Sequence, residues 1–220
     1  NPSWYTAYTP YQAEIAQGRL EALLNFQTVV SNLTGLPLAN ASLLDESTAA
    51  AEAMHMFFSN RSKDQKKSNA NKFFVSDLVL PQTIAVLMTK ADGLDIDIVV
   101  GDFNSMELDA TFFGVLLQYP GKNGVVVDYT EIIKKYKELS LQVALACDPL
   151  ALVKLKSPAD LGADCAVGTT QKFGIPMGYG GPHAAFFTCK EDYKRDIPGR
   201  IIGVSQDMYG KRALRMALQT

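Results

Sequence analysis

Three cysteines, two histidines and one tryptophan are all that the 220 residues hold of these types. Cys147, Cys165 and Cys189 are widely spaced, so they form neither a CxxC pair nor an even disulfide framework. A reducing compartment is the setting they imply. His55 and His183 are too few for a legible zinc-ligand set, and no metal site is expected. Neither sign of charge dominates: the net charge is -2, with acids and bases interspersed. The basic footprint of a nucleic-acid binder is missing, and Lys63, Lys66 and Lys67 read as a solvated loop. No apolar run approaches the ~18 residues a membrane helix needs, and no secretory signal opens the sequence. Internal repeats and low-complexity tracts are also missing.

What is present is an ordinary globular composition, 47% apolar and 20% charged. That suffices for one domain or one and a half. The first residue is Asn1, and Met216-Ala-Leu-Gln-Thr220 falls in an apolar helical pattern. Both ends are expected to be cuts in a longer chain.

Residues 1–12 are aromatic and proline-containing, an expected extended arm. Ile15, Leu20, Leu23, Leu24, Phe26 and Val30 recur at helical spacing over 12–34, and Gly35 and Pro37 stop that helix. A second helix runs to about Phe58, with Asp45, Ser47 and Thr48 as candidate N-caps. Residues 60–71 are polar and read as a loop. Strands are expected at 73–75, 96–100, 114–119 and 141–147, with helices from Pro81 and over 129–139. In the last helix Ile132, Ile133 and Tyr136 face inward. Alternation of strands and helices predicts an α/β fold with a mainly parallel sheet flanked by helices.

One segment stands out: Gly168-Thr-Thr-Gln-Lys-Phe-Gly-Ile-Pro-Met-Gly-Tyr-Gly-Gly-Pro-His183. A lysine, Lys172, and a glycine-rich loop lie between the apolar runs at 165–167 and 184–187. Such a loop lets backbone approach a ligand or partner closely. The bland alternative is a hairpin-like connection bearing a solvated lysine. Two further positions fall where parallel sheets place ligands, at strand ends and helix starts. Ser47 and Thr48 open a helix whose N-terminus suits an anion such as a phosphate, or they only cap it. Asp148 ends a strand and suits a protonated pyridine nitrogen, or is a turn residue before Pro149. Phosphate cup, aspartate, then an imine-forming lysine is the chain order of a fold-type-I pyridoxal-phosphate enzyme.

Long stretches resemble one family. Ala7-Tyr-Thr-Pro-Tyr-Gln12, Ile15-Ala-Gln-Gly-Arg-Leu-Glu21, Ala39-Asn-Ala-Ser-Leu-Leu-Asp-Glu46, Pro81-Gln-Thr-Ile-Ala85 and Gln171 to Phe187 are similar to the glycine cleavage system P-protein. The resemblance covers essentially the whole chain and implies the large-domain portion of that protein's first half. An arm at 1–12 and an aminotransferase-like large domain at 13–220 follow from it. It also implies a complete enzyme that decarboxylates glycine with pyridoxal phosphate and passes the aminomethyl group to the lipoyl group of H-protein. The implied partners are the C-terminal half, H-protein, glycine and a second copy in a homodimer. The implied location is the cytoplasm of a bacterium or the mitochondrial matrix of a eukaryote.

The resemblance changes the role of the lysine. In the family the imine lysine belongs to the second half. Aligning that motif on Ile175-Pro176 and Gly180-Gly-Pro182 puts Gln171, not Lys172, at the imine position. An amide forms no imine, so no catalytic residue is expected here and the cofactor is expected on the other half. Tyr8, Thr9, Tyr11, Gln12, Tyr179 and His183 are then the expected active-site interface. Ser47, Thr48, Asp148, Gln171 and Lys172 are remnants of an anion or cofactor site. Two alternatives stay open: a purely structural interaction domain, and an independent enzyme using Lys172.

Overall fold

A computed structural model describes residues 8–217. The arm is described from Tyr8 onward, where it carries no regular structure up to Gln12; its first seven residues, and 218–220, lie outside the described range. The elements in order are α1 (Gln17–Thr34), β1 (Leu38–Ala39), α2 (Glu46–Ser59), α3 (Lys63–Lys67), β2 (Lys72–Ser76), α4 (Pro81–Asp92), β3 (Asp97–Gly101), β4 (Phe112–Tyr119), α5 (Thr130–Glu138), β5 (Gln142–Cys147), α6 (Pro158–Leu161), β6 (Cys165–Thr169), β7 (Ala185–Cys189), β8 (Ile201–Gln206) and β9 (Arg212–Ala217).

Seven strands form one mixed sheet in the order β1-β7-β6-β5-β4-β2-β3. The pairs from β6 through β5, β4 and β2 to β3 are parallel, and β7 runs antiparallel to both β6 and β1. β4 is buried at all eight positions, as a strand covered on both faces must be. One face packs Phe57, Phe73, Phe113, Val167 and Phe187 under α2 and α4. The other packs Val30, Phe74, Tyr129, Val143 and Phe186 under α1 and α5. Adjacent residues such as Phe73 and Phe74 serve opposite cores because side chains alternate along a strand. Phe113 is fully buried and stacks on Phe73 with centroids 5.3 Å apart. Truncating such a ring costs about 3–5 kcal/mol.

β8 and β9 form a separate hairpin held by two glutamines of α1. Gln27 donates to the Ile202 carbonyl at 3.2 Å and accepts from the Ile202 amide at 2.7 Å. Gln17 makes the same exchange with Leu214, at 2.8 Å in both directions. Each side-chain amide thus pairs as a neighbouring strand would.

Three expectations need correction. Residues 60–71 are not all loop: Ser62 caps α3, and its hydroxyl accepts from the Gln65 amide while the Gln65 side chain accepts from Ser62. That reciprocal box secures a one-turn helix in a polar run. The apolar tail over 216–217 is strand, not helix, because β9 pairs with β8 from Arg212 to Ala217. Ile132 is only partly buried, while Ile133 and Tyr136 point inward as expected.

Candidate functional site

The carboxyl ends of β4, β5 and β6 lie side by side, and the first turn of α2 meets them. Glu46, the first residue of α2, faces the Thr169 backbone at the end of β6. The Gln118 side chain, near the end of β4, reaches Glu46 Oε1 at 3.5 Å. Burial first of all, with a contribution from Asp148, pushes the Glu46 carboxyl above its ordinary value. A desolvated carboxylate in water-poor surroundings prefers its neutral form.

Asp45 caps α2. Its carboxylate accepts from the Thr48 amide at 2.8 Å and from the Thr48 hydroxyl at 3.1 Å. Ser47 is buried, and its hydroxyl shares a hydrogen bond with Thr83 at 3.1 Å. Of the three candidate caps Asp45 serves, and Ser47 and Thr48 do not. Both hydroxyls are already engaged.

Asp148 follows β5. Its Oδ1 accepts from the Leu150 amide at 2.9 Å, the bond of a turn residue, and its Oδ2 faces Lys172 Nζ at 3.8 Å. Gln171 donates to the Gly180 carbonyl at 2.9 Å. Residues 170–184 join neighbouring antiparallel strands, so the connection is hairpin-like in topology. Within it Tyr179 has φ 50° and ψ 43° and is fully exposed, and Met177 is 89% exposed. His183 is exposed, with no hydrogen bond to the described residues. Gly180 (φ 90°) has open space at its Cβ position, whereas Gly181 (φ 66°) would place a Cβ 2.5 Å from the Pro176 carbonyl.

The arm residues gather elsewhere. Tyr8, Thr9, Tyr11 and Gln12 line an open cleft of about 760 Å³ beside Arg19. The Tyr8 and Tyr11 rings meet edge-on at 5.8 Å, and the Arg200 guanidinium lies 5.7 Å from the Tyr11 ring centre. Arg19 donates to the Tyr8 carbonyl. A second cleft of about 420 Å³ continues from Tyr8 to Gly199 and Arg200. Neither of these two clefts includes a residue of the glycine loop. The structure therefore brings Asp148 and Lys172 face to face, and the two arm clefts contain neither Tyr179 nor His183.

Sequence reading missed Glu46 and Gln118 as site residues. Gln118 carried a signal, being the one polar residue in the buried run Phe112 to Tyr119. Glu46 carried a weaker one, as an acid directly after the cap.

This sheet, with its site edge at the carboxyl ends and its antiparallel return, is the large-domain fold of fold-type-I pyridoxal-phosphate-dependent enzymes. A methionine gamma lyase from Micromonospora echinospora shares it at a TM-score of 0.59 and 17% identity, over 82% of this chain and 46% of that one. The family profile described as glycine cleavage system P-protein matches residues 1–220, and the chain belongs to that family. It is 61% identical over 220 residues to a glycine dehydrogenase (decarboxylating) of Christiangramia forsetii and 59% identical to one of Synechocystis. The whole chain aligns, on 23% and 22% of those proteins, so it spans less than a quarter of their length. A crystal structure of glycine decarboxylase (P-protein) of the glycine cleavage system, in inhibitor-bound form, matches at a TM-score of 0.89 and 32% identity, over 100% of this chain and 50% of that one.

Pyridoxal phosphate needs a free amine for its imine and donors for its phosphate. The helix start offers the Asp45 and Glu46 carboxylates, Gln171 is an amide tied to Gly180, and Lys172 faces Asp148. The residues at this sheet edge do not fit the cofactor.

Proposed function

We propose that this chain is the large-domain portion of the first half of a glycine-decarboxylating P-protein, and that it serves the complete enzyme as scaffold and partner face. The arm at 1–12 and the domain at 13–220 are the units of that portion. The complete enzyme removes the carboxylate of glycine as CO2 and passes the aminomethyl group to the lipoyl group of H-protein. Pyridoxal phosphate resides on the other half, and the enzyme is a homodimer in the bacterial cytoplasm or the mitochondrial matrix. The observation that carries this reading is Gln171: an amide at the imine position, spent on holding the glycine loop. Tyr8, Thr9, Tyr11 and Gln12 border the glycine pocket, where phenolic hydroxyls orient the substrate. Tyr179 and His183, exposed on their loop, reach toward the partner's cofactor phosphate. Borohydride reduction of the complete enzyme followed by peptide mapping tests the reading. The pyridoxyl label is expected on a lysine outside this chain; a label on Lys172 that disappears in Lys172→Ala would overturn it.

A further inference from the structure

The hairpin of β8 and β9 has an outer edge that is filled in part and then left open. Its turn fixes which backbone groups face outward. The Asp207 amide donates to the Lys211 carbonyl at 2.8 Å, so these two residues form a hydrogen-bonded pair. Bonded and non-bonded pairs alternate along an antiparallel ladder, so the backbone groups of Ile202, Val204 and Gln206 point away from β9. Along that edge the Arg200 carbonyl accepts from the Ala41 amide at 2.6 Å, and Ile202 exchanges two bonds with the Gln27 side chain. Val204 and Gln206 come next, and outward they bond to nothing among the described residues. An open cleft of about 460 Å³ lies there, lined by Val204, Ser205, Gln206 and Arg212. The Val204 side chain shares a face with Ile202 and Leu214, which are buried, yet it is 61% exposed. The apolar face thus runs on beyond what α1 covers. Folded proteins blunt exposed strand edges with charge, proline or a bulge. The segment from Ile201 to Gln206 has no charge and no proline, and it pairs with Arg212 to Ala217 without a bulge.

We propose that this edge docks an extended segment of the complete enzyme from outside these 220 residues, which adds to the hairpin as a third strand. Main-chain bonds to Val204 and Gln206 give such an addition its affinity, and side chains give it selectivity. The segment places an apolar side chain against Val204 and an acid toward Arg212, which stands opposite Gln206 on the same face. Charge favours that occupant. The hairpin carries Lys211, Arg212 and Arg215 against the single acid Asp207, so an acidic strand is attracted and a second copy of the same hairpin is repelled. The inference rests on the reading that the chain is part of a larger enzyme. The chain spans 23% of the Christiangramia forsetii relative, so more than three quarters of a protein of that length is left to supply the strand.

The test is residue-resolved hydrogen exchange on the purified complete enzyme. A lone edge strand protects alternate amides, whereas a strand paired on both sides protects all of them. The Val204 and Gln206 amides are expected to exchange at least about tenfold more slowly than Met208 at the turn, the worth of one hydrogen bond. Exchange at Val204 and Gln206 as fast as at Met208, with or without protection of Ser205, would overturn the proposal. Val204→Pro deletes one outward donor and spares the inward ladder, as proline in an edge strand does. Gln206 is expected to lose its protection in that variant and Ser205 to keep it; an unchanged Gln206 would also count against the docked strand. A photoreactive benzoylphenylalanine at Gln206 identifies the occupant without relying on the proline variant. Its adduct is expected on a peptide outside these 220 residues, and an adduct on residues 201–217 of a second copy would overturn the assignment. The borohydride label keeps the two readings separate. Fast exchange at Val204 with the label outside this chain sinks only the docking site, and a label on Lys172 with a protected edge sinks only the functional reading.

Discussion

The Gln171 side chain donates to the carbonyl of Gly180, nine residues on, at 2.9 Å. The Gln171 amide thus closes the loop that follows it. In Gln171→Ala the loop loses that tether. Amides of 173–183 are expected to exchange faster, while global stability falls by no more than about 1.5 kcal/mol, the worth of one neutral hydrogen bond. Exchange mass spectrometry on loop peptides checks this; unchanged loop exchange would show that the bond holds nothing.

Gly180 and Gly181 separate two kinds of constraint. Both have positive φ, which costs an L-residue about 1–2 kcal/mol. Only Gly181 also meets backbone, at the Pro176 carbonyl. Gly181→Ala is therefore expected to destabilise more than Gly180→Ala, and Gly180→Val to act through strain alone. Denaturant midpoints of the two alanine variants decide it, together with cofactor content and sizing of the complete enzyme in Gly180→Val.

Glu46 sets a pH dependence. Its folded-state pKa is raised above 4.5, so the native state holds a proton where the unfolded chain has released it. Its ionisation costs nothing below that value, and stability falls as pH rises above it. Glu46→Gln removes the cost. The variant is expected to be more stable than the parent at pH 7, as read from denaturant midpoints. The gain is expected to vanish near pH 4. Equal stability at both pH values would place the carboxylate in water.

Tyr136 acts at the other end of the scale. Its hydroxyl is buried without a partner among the described residues, and burial pushes its pKa up to about 12. The folded state keeps the proton that the unfolded chain loses near pH 10, so this stabilisation is complete below pH 10 and lost as pH rises toward 12. Tyr136→Phe is expected to be neutral or slightly stabilising at pH 7, since it deletes an orphan hydroxyl. It is also expected to flatten the alkaline fall, as followed by circular dichroism.

Tyr8 and Tyr11 are 76% and 57% exposed, and their clefts exclude the glycine loop. The proposed role of the arm at the glycine pocket requires the other half to close over these two rings. In the complete enzyme Tyr8→Phe and Tyr11→Phe are expected to lower turnover severalfold with melting temperature nearly unchanged. Unchanged turnover in both would return the arm to packing.

The fold was legible where one physical signal dominated. Pro81 opening a helix, Gly35 closing one, and the continuous apolar run of β4 each follow from local chemistry. The reciprocal cap of α3 was hidden because a polar five-residue helix has no apolar period. The tail was misread because apolar residues at 214 and 216–217 suit either period until β8 is there to pair with. Within the site, Asp148 and Lys172 were legible as strand-end residues. Asp45 was one of three candidate caps, whereas the bond of Ser47 to Thr83 comes from a helix remote in sequence and left no local signal. The burial of Gln118 Oε1 without a hydrogen-bond partner among the described residues is a purely tertiary fact.

The sheet order fixes a sequence of events during synthesis. The edge beside β7 is closed by β1, through Leu38 opposite Cys189 and Ala39 opposite Thr188. The closing strand therefore leaves the ribosome long before the strand it closes. Until β7 emerges, the backbone of Leu38 and Ala39 has no ladder, and neither does the outer side of β6. A released chain truncated before Ala185 should accordingly lack β7, leave β1 unpaired and keep the outer side of β6 open to chaperones.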